Sequence, residues 1–389
     1  MNIMERVDTA VAALEPELIE MSHFIHDNPE IGMEEYKACA YQVELLKKHG
    51  FTVKTNIYGM ETAYEAVYKG AKDGPKIATL AEYDALPEIG HGCGHNLIAL
   101  IGIGAGIAMK EFADEYGGEI HVFGTPAEEN IGGKVIMARE GAFRDIDVAM
   151  MSHPMNANMD GMNSMALSAY YFRFYGRTAH AAAAPHEGVN ALDAMINFYN
   201  LINAMRQQTK DDARIHGIIT HGGEASNVIP DFTEAIFCIR AHKNAYLKEL
   251  EEKVFACGKA AALGTGCRFE YEPQGEAFMD TKVNRPLYDL NTEMMEKLGV
   301  SVVRTQGEYV SGSSDMGDVS YSCPGIQNVF DICEGENIGA HTIEFAQRAG
   351  ENRAMGNALT YVKGHVLTAV ELMRNPEKLA EIKDDFERK

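Results

Sequence analysis

The sequence has no excess of positive charge: 35 Lys and Arg stand against 57 Asp and Glu, a net charge of −22. So acidic a surface repels polyphosphates and anionic membranes, which argues against nucleic acid as a partner. Long hydrophobic runs are also missing. The longest, Leu97 to Met109, has 13 residues and carries three glycines. A bilayer core needs about 20 apolar residues, so no membrane span is expected. The start, Met-Asn-Ile-Met-Glu-Arg, lacks the basic opening, apolar stretch and small-residue cleavage site of a secretory signal. Seven cysteines are odd in number, scattered and without a C-x-x-C pair. That speaks against a disulfide framework and for reduced thiols in the cytoplasm. Internal repeats, low-complexity tracts and flexible linkers are absent as well.

What is present is a globular chain. Its 389 residues, 46% of them hydrophobic, suffice for two or three compact units. The first 50 residues read as helices over Ile3 to Leu14, Glu17 to Asp27 (opened by Pro16) and Glu34 to His49. Strands follow at Phe51 to Thr55, Ala63 to Tyr68 and Lys76 to Ala81. A helix from about Leu97, a strand Glu119 to Gly124, a helix near Lys134 to Arg139 and a strand Val148 to Met151 come next. This alternation predicts an α/β fold with a mostly parallel sheet covered on both faces.

The pattern changes near Met165. Strand Leu167 to Tyr175, helix Asn190 to Arg206, strands Ile215 to Thr220 and Thr233 to Arg240, helix Ala245 to Ala262 and strand Cys267 to Tyr271 spell βαββαβ. That order describes a small α+β sandwich with one sheet and two helices. It reads as an insert: residues 1–165 and 279–389 would form one domain and 166–278 the other. From Asn284 the alternation resumes, with a strand Gly325 to Ile332 and a long helix Arg348 to Arg374.

Four motifs carry chemistry. In His91-Gly92-Cys93-Gly94-His95-Asn96, glycines flanking Cys93 let the backbone aim a thiolate and an imidazole at one point. Alone, the pair equally describes a packed thiol beside a capping histidine. Thr125-Pro126-Ala127-Glu128-Glu129 follows a strand directly, where open α/β sheets place their sites. One carboxylate there can bind metal while its neighbour reaches the water to be activated, or both can simply favour a helix N-terminus. Met151-Ser152-His153-Pro154 and Gly339-Ala340-His341-Thr342 put histidines near two further strand ends. Together, Cys93, His95, Glu129, His153 and His341 suit Zn²⁺, or Mn²⁺, Co²⁺ or Ni²⁺. Five ligands exceed one open catalytic ion and suit a pair about 3.5 to 4 Å apart. The loop Ser311-Gly312-Ser313-Ser314-Asp315-Met316-Gly317 offers backbone N–H groups to an anion, or an ordinary helix cap.

The segments Glu-Tyr-Asp-Ala-Leu-Pro at 82–87, His-Gly-Cys-Gly-His-Asn at 91–96, Pro-Ala-Glu-Glu at 126–129 and His-Pro at 153–154 run in a distinctive order. They continue with His-Ala-Ala-Ala-Ala-Pro at 180–185, Ser-Asn-Val-Ile-Pro-Asp at 226–231 and His-Thr at 341–342. This series resembles metallopeptidase family 20, and within it the amidohydrolase branch, subfamily D. That branch holds aminobenzoyl-glutamate, hippurate and auxin-conjugate hydrolases and HmrA-type peptidases. The resemblance implies that Cys93, His95, Glu129, His153 and His341 hold two metal ions, with Glu128 as general base and Asp84 orienting a ligand. It implies an amide or peptide substrate with a free carboxylate, bound by His180, Asn227 and Arg240. The insert would then be a lid and dimerisation domain, making a homodimer or higher oligomer. Two departures from the branch stand out: Asn96 and Glu82 each occupy a position usually held by Asp.

Other readings compete. A cysteine hydrolase would use Cys93 as nucleophile beside a histidine, leaving Glu129, His153 and His341 without a role. A dinucleotide site is suggested by Gly102, Gly104 and Gly106, but Ile107 breaks the G-x-G-x-x-G pattern and the glycines fall inside a helix, where they would permit close packing. A non-catalytic binding protein on the same scaffold would have no need of the base.

Overall fold

The computed structural model describes residues 1–305 and 312–388. Among them, residues 1–163, 281–305 and 315–388 form one compact unit, and residues 164–280 with 312–314 another.

The larger unit opens with α1 (Ile3–Asp27) and α2 (Tyr36–Lys48). Then come β1 (Thr52–Ile57), β2 (Met60–Lys69), β3 (Lys76–Ala81), α3 (His95–Tyr116), β4 (Glu119–Gly124), α4 (Gly133–Arg139) and β5 (Val148–Met155). The smaller unit contributes β6 (Ala166–Tyr175), α5 (Ala191–Met205), β7 (Arg214–His221), β8 (Phe232–Ala241), α6 (Asn244–Thr265) and β9 (Arg268–Pro273). The chain then returns to the larger unit with α7 (Arg285–Lys297), α8 (Met316–Ser322), β10 (Gly325–Asp331), α9 (Ile343–Ala349), α10 (Asn352–Arg374) and α11 (Pro376–Arg388).

The large sheet has the order β1-β2-β4-β3-β5-β10. β4, β3, β5 and β10 are parallel, and the β1–β2 hairpin adds antiparallel strands at one edge. Alternate residues of its central strands feed two separate cores. On β5, Val148 and Met150 join the cluster built with α1, α3 and α10, while Ala149 and Met151 join the one with Phe123, Phe143 and Val319. Both faces are therefore covered, as a parallel sheet requires. α3 is long and apolar enough to cross a bilayer by length and composition, but 89% of that stretch is buried inside the unit. In the smaller unit the order is β7-β8-β6-β9, antiparallel throughout. β8 alternates buried Thr233, Ala235, Phe237, Ile239 and Ala241 with half-buried neighbours, because α5 and α6 cover only one face.

Two expectations need correction. The separate helices over Ile3 to Leu14 and Glu17 to Asp27 are one helix, with Pro16 inside it. Pro16 and Ala12, whose carbonyl it leaves unpaired, both face solvent, while buried Val11, Leu14, Leu18 and Met21 carry the apolar stripe past the break. The helix expected over Arg348 to Arg374 is two, α9 and α10, separated at Gly350 and Glu351.

The helix glycines do permit close packing. A Cβ on Gly102 of α3 would lie 2.5 Å from the Leu80 carbonyl oxygen of β3, whereas one on Gly356 of α10 would meet nothing within 4 Å. Ala in place of Gly gains about 1 kcal/mol of helix propensity. At Gly102 the crowding, about 1–3 kcal/mol, exceeds that gain. Gly102→Ala is expected to lower the thermal unfolding midpoint and Gly356→Ala to raise it; the opposite order would contradict this packing.

Candidate metal centre

In the larger unit the motif residues gather at the carboxyl ends of the parallel strands. β3 runs into Glu82 and Asp84, β4 into Glu128 and Glu129, β5 carries His153 near its end, and a loop after β10 brings His341 back. His95 is the first residue of α3, entered through Gly94 at φ 72°. An added Cβ at Gly94 would sit 2.6 Å from Pro154 Cγ, so glycine serves both the left-handed turn and the close approach. The His341 amide donates to the Gly92 carbonyl at 2.8 Å, pinning the late loop beside Cys93.

Three overlapping sets of donor atoms result, each lying within 4.8 Å of one another: Cys93, His95 and His153; Cys93, Glu129 and His341; His95, Glu128 and Glu129. Cys93 Sγ is 3.2 Å from His341 Nε2. Glu129 faces two ways, with Oε1 3.8 Å from His95 Nε2 and Oε2 3.6 Å from His341 Nε2. Hydrogen bonds fix the tautomers. His95 Nδ1 donates to Asp84 Oδ1 at 2.9 Å, and His153 Nδ1 donates to the Pro154 carbonyl at 2.8 Å. Each ring thereby presents an Nε2 lone pair, the arrangement that orients a metal ligand. His95 Nε2 and Glu129 Oε1 are buried without a hydrogen-bond partner. Two buried acceptors facing each other, with a thiol and a second carboxylate at hand, fit divalent cations.

The electrostatics reflect how much negative charge is gathered here, and they favour a cation in the site, a proton on His95 or a divalent ion in its place. Burial disfavours a charged His95, but the Asp84 and Glu82 carboxylates outweigh it and hold its pKa well above the usual range. Burial lowers His153 to about 4, leaving it neutral. Half-buried Glu128 is pushed well above the ordinary carboxylate range, first by burial and then by the charges of Asp315, Glu82 and Glu129. Burial likewise drives the Cys93 thiol upward, so its thiolate, whether as nucleophile or as ligand, needs a cation beside it.

Two participants escaped the sequence reading. Lys134, fully buried on α4, lies 2.5 Å from Glu82 Oε1 and 2.7 Å from Asp315 Oδ1, and Glu82 Oε2 is 3.2 Å from His95 Nε2. A lone cation in the apolar run Val135-Ile136-Met137 was the available signal. Glu35, also buried, is pushed up to about 7 by burial and by the charge of Asp84. It gave no signal, since Glu34-Glu35 reads as an acidic helix start. Asn96 is explained by its contacts: Nδ2 donates to Ser22 Oγ at 3.0 Å and the Ala349 carbonyl at 2.9 Å, where an Asp would have nothing to donate. In the loop read as an anion cradle, Ser311 lies outside the described residues, and the Asp315 carboxylate is occupied by Lys134.

In the smaller unit, His180 and Asn227 come together. The Ala181 amide donates to the Asn227 carbonyl at 3.0 Å, and the exposed His180 ring accepts through Nδ1 from the Ala182 and Ala183 amides. Arg240 is not with them. It lies near the far end of β8 and donates to Ser313 Oγ at 3.0 Å. The nine residues of strand from Phe232 to Arg240 span about 26 Å, with Arg240 near the end of β8 remote from the segment that leads in from Asn227.

The chain is similar to known proteins over most of its length. Residues 164–264 match the peptidase dimerisation domain of the M20 family. The mouse (Mus musculus) Xaa-Arg dipeptidase is 34% identical, over 98% of this chain and 90% of that protein. One of the subunits of the Escherichia coli p-aminobenzoyl-glutamate hydrolase is also 34% identical, over 69% of this chain and 61% of that protein. A dinuclear metal-binding M20 peptidase of Bacillus subtilis shares the fold, with a TM-score of 0.69 at 18% identity over 92% of this chain and 99% of the other. A near full-length relative and a convergent cluster of side chains able to hold metal agree, and the chain belongs to the M20 family of metal-dependent peptidases and amidohydrolases.

Proposed function

We propose that this enzyme is a dipeptidase that cleaves the amide bond of dipeptides ending in a basic residue. The observation that carries the reading is the convergence of five donor side chains, from sequence positions 93 to 341, on one end of the sheet. In this reading Cys93, His95, Glu129, His153 and His341 hold two divalent ions, Zn²⁺ by the softness of the donors, with Mn²⁺, Co²⁺ or Ni²⁺ as alternatives. Bound there, the ions would act as Lewis acids that bring the pKa of water from 15.7 toward about 7 and polarise the scissile carbonyl.

The protein's own groups do the rest. Asp84 holds His95 in the tautomer that presents Nε2. Glu128 takes the proton of the attacking water and hands it to the departing nitrogen, a role worth about 10²- to 10⁴-fold. Its raised proton affinity suits it to keep that proton between the two steps, and nearby cations would draw that affinity back down. His180 binds the carbonyl oxygen, and Asn227 and Arg240 hold the substrate carboxylate. Because Arg240 lies near the end of β8 remote from the segment that carries Asn227, a second copy would bring all three to one substrate. Their separation supports a homodimer formed through residues 164–264, in keeping with the dimerisation-domain match.

The basic substrate end is supported by the name of the mouse relative and by the net charge of −22, which draws cations toward the surface. Seven free cysteines fit a reducing compartment, which we take to be the cytoplasm.

Glu128→Gln is expected to lower kcat at least 100-fold while metal content, measured by mass spectrometry of the digested protein, stays at that of the unaltered chain. Full activity in this variant would remove Glu128 from the reaction. Chelation followed by metal addition should abolish and restore turnover, whereas a Cys93 nucleophile would ignore both. Among a dipeptide ending in Arg, aminobenzoyl-glutamate and an N-acetyl amino acid, the first should give the highest kcat/KM. Preference for either of the others would reassign the substrate while leaving the hydrolase reading intact.

A further inference from the structure

Glu35 immediately precedes α2 yet makes no cap with its side chain. Fully buried, it reaches across to the loop after β4 instead. Its Oε1 accepts from the Ala127 amide at 2.8 Å, and its Oε2 accepts from the Thr62 hydroxyl at 2.8 Å. Ala127 has φ 62°, in the left-handed region that residues with a Cβ avoid, so something outside the loop has to hold it there. Two residues on, the Glu129 amide donates to Asp84 Oδ2 at 3.0 Å. The Ala127 carbonyl then accepts from the Gly132 amide at 2.8 Å, which closes the turn. Buried carboxylates thus grip the backbone on each side of Glu128.

We infer that Glu35 is a positioning residue: by accepting from the Ala127 amide it keeps this turn left-handed and thereby aims the Glu128 carboxylate. The inference rests on the reading of Glu128 as the proton-transferring group. Without the acceptor, the Ala127 amide is left buried and unpaired and the turn relaxes toward right-handed backbone, carrying Glu128 with it. A displacement of about 1 Å at a reacting group costs on the order of 100-fold in rate. Glu129 keeps its own grip through Asp84, so the change falls on turnover rather than on metal binding. The geometry needs an acceptor at Oε1, not a charge, and glutamine supplies one.

The test compares Glu35→Ala and Glu35→Gln in the full-length, metal-reconstituted enzyme with a dipeptide ending in Arg. Glu35→Ala should lower kcat about 30- to 100-fold with KM within about twofold and metal content unchanged. Glu35→Gln should stay within about threefold of the original kcat. In an Ala127→Gly background, where the left-handed turn carries no strain, the loss from Glu35→Ala should shrink at least threefold. Should Glu35→Ala fail to fold, Glu35→Leu, which fills the space without supplying an acceptor, should lower kcat by a similar factor at constant KM. An activity-free readout separates this inference from the functional reading. Hydrogen–deuterium exchange over residues 122–130 of the metal-free protein should speed up at least tenfold in Glu35→Ala and stay unchanged in Glu35→Gln. If the original enzyme cleaves no dipeptide, the functional reading fails and the exchange result alone decides the clamp. Unchanged kcat and exchange in Glu35→Ala, or in Glu35→Leu where Glu35→Ala does not fold, or equal losses in Glu35→Gln and Glu35→Ala would overturn the inference.

Discussion

Negative charge buried at one end of a sheet is the constraint on which the rest of the structure depends. Glu82, Asp84, Glu128, Glu129 and Asp315 stand close together there, and water is largely excluded. Among the described residues, Lys134 answers Glu82 and Asp315, and the His95 imidazole answers Asp84. Among the described residues, the Glu129 carboxylate faces two imidazole nitrogens at 3.6 and 3.8 Å and the Cys93 thiol. Buried carboxylates without compensation cost several kcal/mol each, more than a domain of marginal stability tolerates. Divalent ions cancel that cost, and the groups left poorly matched are the ones whose donor atoms converge.

The fold makes such crowding possible because a parallel sheet ends all its strands on the same side. β3, β4, β5 and β10 each deliver one part of the cluster, and α1, α3 and α10 supply the apolar mass that keeps those strand ends rigid. Gly94 admits His95 against Pro154 and Ala127 bends the loop that carries two glutamates, so the local strain falls where the side chains must be aimed. The smaller unit answers a different need. Its one-faced sheet separates Arg240 from His180 and Asn227 by the length of a strand, which makes a second copy part of substrate recognition in the proposed reaction.

Much of this was legible in the sequence, and what was not has a common cause. β3 and β4 read correctly to the residue, since short apolar runs bounded by Gly, Pro and charge leave little freedom. The βαββαβ insert read correctly because its strands alternate clearly. Pro16 misled because a proline's effect on a helix depends on which face it occupies, and that is fixed by packing rather than by the residue. His153 and His341 stood out through their place after strands. Lys134 and Glu35 did not, because each is defined by partners 27 to 181 residues away, which no local periodicity marks. Glu82 looked like a mere departure from a family pattern until Lys134 was seen beside it.

The central claim is that the convergent thiol, imidazoles and carboxylate hold two metal ions. Anomalous X-ray diffraction from crystals grown with Zn²⁺ or Mn²⁺ tests it most directly. Two strong peaks are expected, with Cys93, His95, Glu129, His153 and His341 all in bonding contact with one or the other. Peaks elsewhere in the molecule, or a cluster in which Cys93 and His341 touch no ion, would contradict it.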